Sequence, residues 1–211
     1  MVSAASIGTI LFDADGVLQR PSPQRRARWA EVLGPDKNVD DFLRELFAAE
    51  APAHVGRGSF TASLAPLVAR WGCQGSVEDV LEAWTMIEPD WQIFGTIEQL
   101  SRQGIRCHLA SNQEPYRAEY MSVTLGYSRR FAREFYSCRL GVKKPDPDYF
   151  RAILGQIDMV AGQVLFIDDH EPNVEAARSV GLQAAPFTIE AGVEGLHRLL
   201  EGFGVRPGGS G

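Results

Sequence analysis

The sequence predicts an α/β protein: a parallel sheet with helices on both faces, carrying a small helical insertion. Three observations lead there. Short apolar, β-rich runs recur along the chain, and each is followed by a helical pattern, as buried parallel strands are. Between the first run and the rest lie about 70 residues of helical patterns alone. Three of the runs end in chemically active side chains: Ile10-Leu11-Phe12 leads into Asp13-Ala14-Asp15-Gly16, Ile105 to Ala110 into Ser111-Asn112, and Val164 to Ile167 into Asp168-Asp169.

After the first strand, Ser22 is placed to cap a helix with Pro23 at its first position, running to Leu33 and stopped by Gly34-Pro35. Phe42, Leu43, Leu46 and Phe47 mark a second helix. Phe60, Leu64, Leu67 and Val68 mark a third, ending near Gly72. A fourth starts at Ser76, with Asp79 three residues on, and carries Val77, Val80, Leu81 and Trp84. Glu88-Pro89-Asp90 reads as the return hinge. The βα alternation then resumes, with a helix near Thr96 to Gln103, the strand ending at Ala110, and a helix from Pro115 to Leu125. Phe135 to Cys138 reads as a short strand, followed by the proline-punctuated loop Gly141 to Pro147 and a helix through Tyr149, Phe150, Ile153 and Leu154. After the strand ending at Ile167 come Pro172, a helix to Val180 stopped by Gly181, and a last strand near Gln183 to Phe187. The expected division is a Rossmann-like core over 1–18 and 89–205, a helical cap over 19–88 and a flexible tail over 206–211.

Composition narrows the function. A net charge of −6 gives no general field favouring nucleic acid or an anionic membrane. Arg25, Arg26 and Arg28 form the nearest thing to a basic patch and read as a solvated helix face. Three cysteines, Cys73, Cys107 and Cys138, are an odd number without CxxC spacing. No apolar stretch approaches the roughly 20 residues needed to cross a bilayer, and Met1 to Gly8 has neither a basic nor an apolar targeting segment. The expectation is a reduced, cytoplasmic protein, monomer or homodimer. The histidines show no zinc-ligand spacing with the cysteines, and His108 reads as a strand residue.

In an open α/β sheet the ligand site lies beyond the carboxyl ends of the strands, so the residues ending the three runs meet in one place. Asp13 and Asp15 flank one alanine, and Gly16 frees the backbone to turn. One of these carboxylates can act as nucleophile and the other as proton donor and acceptor, if their environments separate them. Asp168 and Asp169 are adjacent acids at the end of a hydrophobic strand. Two like charges about 4 Å apart at an effective dielectric of about 20 repel by roughly 4 kcal/mol, and a divalent cation removes that repulsion. Mg²⁺ fits an all-oxygen set that shares its shell with a substrate phosphate. Ser111 and nearby N–H groups, Asn112 included, can bind phosphoryl oxygens, and Lys144 can supply a point charge. Each signal alone has a bland reading as turn, cap or solvated loop.

Together the motifs Phe12-Asp13-Ala14-Asp15-Gly16-Val17, Leu109-Ala110-Ser111-Asn112, Gly141-Val142-Lys143-Lys144-Pro145-Asp146-Pro147 and Phe166-Ile167-Asp168-Asp169 resemble those of haloacid dehalogenase superfamily hydrolases with a small helical cap inserted after the first motif. The likeness runs from Thr9 to about Pro186. It implies a Mg²⁺-dependent phosphatase acting on a small phosphorylated metabolite. Asp13 would attack phosphorus to form an aspartyl-phosphate, and Asp15 would protonate the leaving oxygen and later activate water. Asp13, the Asp15 backbone carbonyl and Asp169 would hold Mg²⁺, with Asp168 a direct or water-mediated ligand, and Ser111 and Lys144 would bind the phosphoryl group. One departure is Asn173, where many relatives carry a further acid.

A phosphomutase is the alternative within this chemistry, but the histidine that sugar phosphomutases carry soon after the first motif is missing from Gln19 to Arg28. Dehalogenases place a non-acidic residue where this chain has Asp15. A catalytically silent binding or regulatory protein on the same fold is the reading from another class. Arg20, His54, Arg57 and Trp84 are the cap residues that can face a substrate, although Gly56-Arg57-Gly58 also reads as an ordinary interhelical turn.

Overall fold

A computed structural model describes residues 6–208. The N-terminal stretch Met1–Gly8 and the tail 206–211 lie partly outside them. Three of the expected strands are β1 (Thr9–Phe12), β4 (Arg106–Ser111) and β6 (Val164–Asp168), and they stand side by side. With β5 (Arg133–Tyr136) and β7 (Gln183–Pro186) they form a parallel sheet in the order β5-β4-β1-β6-β7. Phe12 pairs with Leu109 on one side and Ile167 on the other, so Asp13 and Asp168 follow at the same level and Ser111 stands one residue further along β4. Burial explains the composition: β1 and β6 are buried throughout, and each strand feeds alternate residues to two clusters on opposite faces. Ile10 and Phe12 join Ile97, Leu109 and Ile167 on one face, and Leu11 joins Phe150, Phe166 and Val174 on the other.

Between β1 and the rest, a two-stranded antiparallel ribbon of β2 (Gln19–Pro21) and β3 (Ile87–Pro89) brackets four helices: α1 (Arg25–Leu33), α2 (Val39–Glu50), α3 (Phe60–Trp71) and α4 (Val77–Trp84). These helices enclose a third cluster of their own, built on Trp29, Phe42, Leu46, Phe60, Leu64, Val80 and Trp84. Local chemistry sets their ends. Asn38 and Ser59 accept hydrogen bonds from the first-turn amides of α2 and α3, Gly72 closes α3 in a left-handed conformation, and Ser76 with Asp79 forms a reciprocal capping box at α4.

Elsewhere packing moved the expected boundaries. Ser22 does not cap α1, which starts at Arg25; its hydroxyl donates to Glu88 on the returning strand, 2.9 Å away. Helix α5 (Trp91–Arg102) begins five residues before the expected Thr96, because Asp90 caps it. The helix after Ser111 is split into α6 (Pro115–Glu119) and a π turn over Tyr120–Thr124. Strand β5 stops at Tyr136, the partner of Ser111 where β4 ends, and Ser137–Leu140 turn into the short helix α7. Helices α8 (Pro147–Leu154) and α9 (Glu171–Ser179) lie where the patterns put them. Helix α10 (Gly192–Gly202) has no expected counterpart; its three glycines hide the pattern by which Leu196 and Leu200 pack toward α5.

The arginines of α1 are not one solvated face. Arg26 pairs with Asp40 on the surface and Arg28 with Asp79 and Glu82, whereas Arg25 lies half-buried over the rings of Trp29 and Trp84. Cys73, Cys107 and Cys138 are free, and no described helix is long and apolar enough to cross a membrane. His108 sits buried in β4, where burial, helped by Arg106 and Arg133, lowers its imidazole to about 4.

Candidate active site

The carboxyl ends of β1, β4 and β6 open into a cavity of about 280 Å³ lined by Asp13, Asp15, Gly16, Ser111, Asn112, Lys144, Asp169 and Asn173. Six of the seven sequence-selected site residues line it, and the seventh, Asp168, is fully buried behind Lys144. Asp13 follows directly on β1, its amide bonded to the Ile167 carbonyl at 2.9 Å, which holds the backbone in register with β6. Gly16 turns the chain with a φ of 78°, and a Cβ there would stand 2.0 Å from Asp169 Oδ2. Only glycine lets the Asp169 carboxylate come so close.

Lys144 is the electrostatic centre. Its ammonium lies 2.8 Å from Asp13 Oδ1 and 2.6 Å from Asp168 Oδ2, at 2% exposure. Asn112 holds the lysine backbone from both sides: its Nδ2 donates to the Lys144 carbonyl and its Oδ1 accepts from the Lys144 amide, each at 2.9 Å. The Asn112 side chain is thus a brace for Lys144. Asp168 also accepts from the His170 amide at 2.8 Å and from Asn173 Nδ2 at 3.0 Å on each oxygen. The neutral amide at 173 supplies a donor there, where a carboxylate would repel.

Burial raises Asp13 to about 7, with Lys144 opposing and Asp168 adding to the rise. Burial, then Asp168, also raises Asp169 above its ordinary value. Asp13, Asp168 and Asp169 each offer a carboxylate oxygen within 4.8 Å of the others. That all-oxygen, mutually repelling set fits a hard divalent cation such as Mg²⁺.

Asp15 stands in a different environment. Arg117 Nη2 donates to its Oδ1 at 2.7 Å and Nη1 to its Oδ2 at 2.9 Å, a bidentate pair. Gln19 and Gln113 add donors at 2.9 and 2.8 Å. Burial pushes Asp15 up, but Arg117 and the two amides outweigh it and hold the carboxyl below its ordinary value. Asp13 and Asp15, separated by one residue, are therefore driven in opposite directions, the first toward its protonated form by burial and the second toward its ionised form by Arg117 and the two amides. Gln113 also donates to Ser111 Oγ at 3.1 Å, linking Asp15 to the hydroxyl.

Gln19, Gln113 and Arg117 are the site residues that motif reading missed. For Arg117 a signal existed: it lies four residues before the buried Met121, on the apolar side of its helical pattern, where an arginine needs a partner. Of the four residues of the helical insertion singled out, Trp84 lies buried between Arg25 and Arg117, His54 is engaged by Glu50 at 2.7 Å, and Arg57 is exposed beside Lys143 and Lys144. Arg20 is exposed on the ribbon strand β2.

The sequence matches the haloacid dehalogenase-like hydrolase family over residues 7–181, and the chain belongs to that family. A sesquiterpene phosphatase of Aspergillus oryzae is 30% identical over 103 residues, 48% of this chain and 52% of that protein, so the match spans about half of that curated relative. A phosphoglycolate phosphatase of Pectobacterium atrosepticum is 26% identical over 201 residues, 89% of this chain and 83% of that protein. The solved structure of a predicted HAD-like family hydrolase from Porphyromonas gingivalis superposes with a TM-score of 0.76 at 26% identity, covering 93% of this chain and 98% of that one.

Proposed function

We propose that this hydrolase is a Mg²⁺-dependent phosphatase that cleaves a small phosphorylated metabolite through an aspartyl-phosphate on Asp13. The observation that carries this reading is Lys144, locked between Asp13 and Asp168 at 2.8 and 2.6 Å with Ser111 and Asp169 lining the same cavity. One positive charge faces three acids, and a divalent cation would offset the excess negative charge that remains.

Asp13, Asp169 and the Asp15 backbone carbonyl would hold Mg²⁺, with Asp168 behind them; the ion supplies charge neutralisation for Asp13 and the phosphoryl oxygens. Lys144 and Ser111 orient the phosphoryl group against Asp13. An Asp13 oxygen attacks phosphorus, the bond from phosphorus to the ester oxygen breaks, and Asp15 in its protonated form gives that oxygen a proton. Asp15, now a carboxylate, takes a proton from water as the water attacks the aspartyl-phosphate. Inorganic phosphate leaves and Asp13 is free again. Asp15 as Arg117 holds it here is the ionised form, which serves the water-activating half of this cycle.

Residues 19–88 act in this reading as a cap over the core of 1–18 and 89–205, with the ribbon of β2 and β3 as the joint. The substrate is a free metabolite, and the three free cysteines fit a reducing, cytoplasmic setting. The test is phosphate release from p-nitrophenyl phosphate and from a panel that includes phosphoglycolate and a sesquiterpene monophosphate, with Mg²⁺ or with EDTA. Release from none of these with Mg²⁺, or equal release by Asp13→Asn, refutes the reading.

A further inference from the structure

The Asp15 carboxylate is held from three directions, and one of them leads into the four-helix unit. Gln19 comes from β2 and is itself fixed by the Tyr127 hydroxyl, which donates to its Oε1 at 2.7 Å. Gln113 comes from the end of β4. Arg117 comes from α6, is 7% exposed, and meets Asp15 with both Nη atoms. Beyond Asp15 the same guanidinium lies 5.5 Å from the ring centre of Trp84, the last residue of α4. Trp84 Nε1 donates to Glu114 Oε1 at 3.2 Å, and that oxygen also accepts from the Arg117 amide at 2.7 Å. The indole of the helical unit and the backbone of the arginine thus share one buried carboxylate.

We propose that Arg117 is a positioning residue for Asp15, steadied in turn by Trp84, so that the seat of the helical unit on the sheet sets where the Asp15 carboxylate stands. The proposal rests on the reading of Asp15 as the group that moves protons in the phosphatase cycle. A planar fork suits this task, because two parallel N–H bonds fix both the place and the plane of a carboxylate. A lysine at 117 would supply the charge without the plane. Motion of the helical unit about the β2–β3 ribbon would move Trp84 against Arg117, and the fork would carry that change to Asp15.

The experiment uses the intact 211-residue chain with Mg²⁺ and p-nitrophenyl phosphate under rapid mixing. Arg117→Met is expected to lower kcat at least about tenfold with KM within about twofold of wild type, since Ser111 and Lys144 still hold the phosphate. Arg117→Lys carries the same expectation and serves if the methionine variant does not fold. In an Asp15→Asn background either substitution should cost less than about a further twofold, because the group being positioned has lost its function. Trp84→Phe, which keeps an aromatic ring and removes the Nε1 donor, should lower kcat about threefold, and that loss too should vanish in Asp15→Asn. Losses that multiply in the double variants, or that fall on KM, overturn the proposal. Absence of wild-type turnover overturns the phosphatase reading instead. The linkage is then read from melting: Trp84→Phe and Asp15→Asn should shift Tm non-additively by about 1 °C or more, and additive shifts refute it.

Discussion

Replacing Lys144 by methionine keeps most of the stem and removes the charge that two buried acids share. At 2.8 and 2.6 Å, with an effective dielectric of about 20, each attraction is worth about 6 kcal/mol before desolvation. Asp13 and Asp168 remain, 8% and 0% exposed, with oxygens within 4.8 Å, a repulsion of at least about 3 kcal/mol on the same scale. The net effect is smaller than these gross figures, because the lysine also regains hydration on unfolding. Breaking a buried pair by removing one partner costs about 3–5 kcal/mol. For a chain of 211 residues each kcal/mol lowers Tm by about 2–4 °C, so Lys144→Met should melt about 6–20 °C below wild type in EDTA. Mg²⁺ should raise the variant's Tm by more than it raises the wild type's, because the ion then supplies the missing positive charge without opposing an ammonium. Thermal unfolding followed by dye fluorescence or circular dichroism, with EDTA and across a Mg²⁺ titration, measures both effects. A variant within about 2 °C of wild type in EDTA would show that Lys144 does not neutralise this cluster.

Asp13→Asn should abolish turnover yet melt no lower than wild type in EDTA at pH 8. The folded carboxyl is raised by burial from 3.8 to about 7, so the folded state binds the extra proton in that window and wild-type stability falls as pH rises through it. Asparagine removes that term, and a clear drop in Tm for the variant would contradict it. Activity should disappear with EDTA and return with Mg²⁺ but not with Ca²⁺, whose wider coordination engages both oxygens of a nucleophilic carboxylate; full turnover in Ca²⁺ alone refutes this. Asp15→Asn should release a burst of p-nitrophenol near one equivalent and then turn over slowly, since dephosphorylation needs its base while a good leaving group needs little acid. Neither a burst nor a phosphoenzyme by intact mass would remove Asp15 from that role.

Much of the site was legible in the chain because its residues stand at the ends of short apolar runs. A buried parallel strand advertises itself by composition, and Asp13, Ser111 and Asp168 close three such runs, so their meeting follows from the one rule that ligands bind beyond strand carboxyl ends. The ends of α3 and α4 were legible for a similar reason: Gly72 and the Ser76–Asp79 box act within a single turn, and nothing distant need be known. What only the tertiary structure decided involves partners far apart in sequence. Arg117 clamps Asp15 across 102 residues, and Ser22 answers to Glu88 across 66, which overrides its local preference to cap a helix. Helix α10 depends in the same way on its seat beside α5, because glycines at 192, 195 and 202 weaken its own pattern. The opposite environments of Asp13 and Asp15 belong here too. Asp-Ala-Asp is one motif in the sequence, but burial beside Asp168 raises the first acid while a guanidinium from α6 lowers the second. Those neighbours are set by packing and not by spacing.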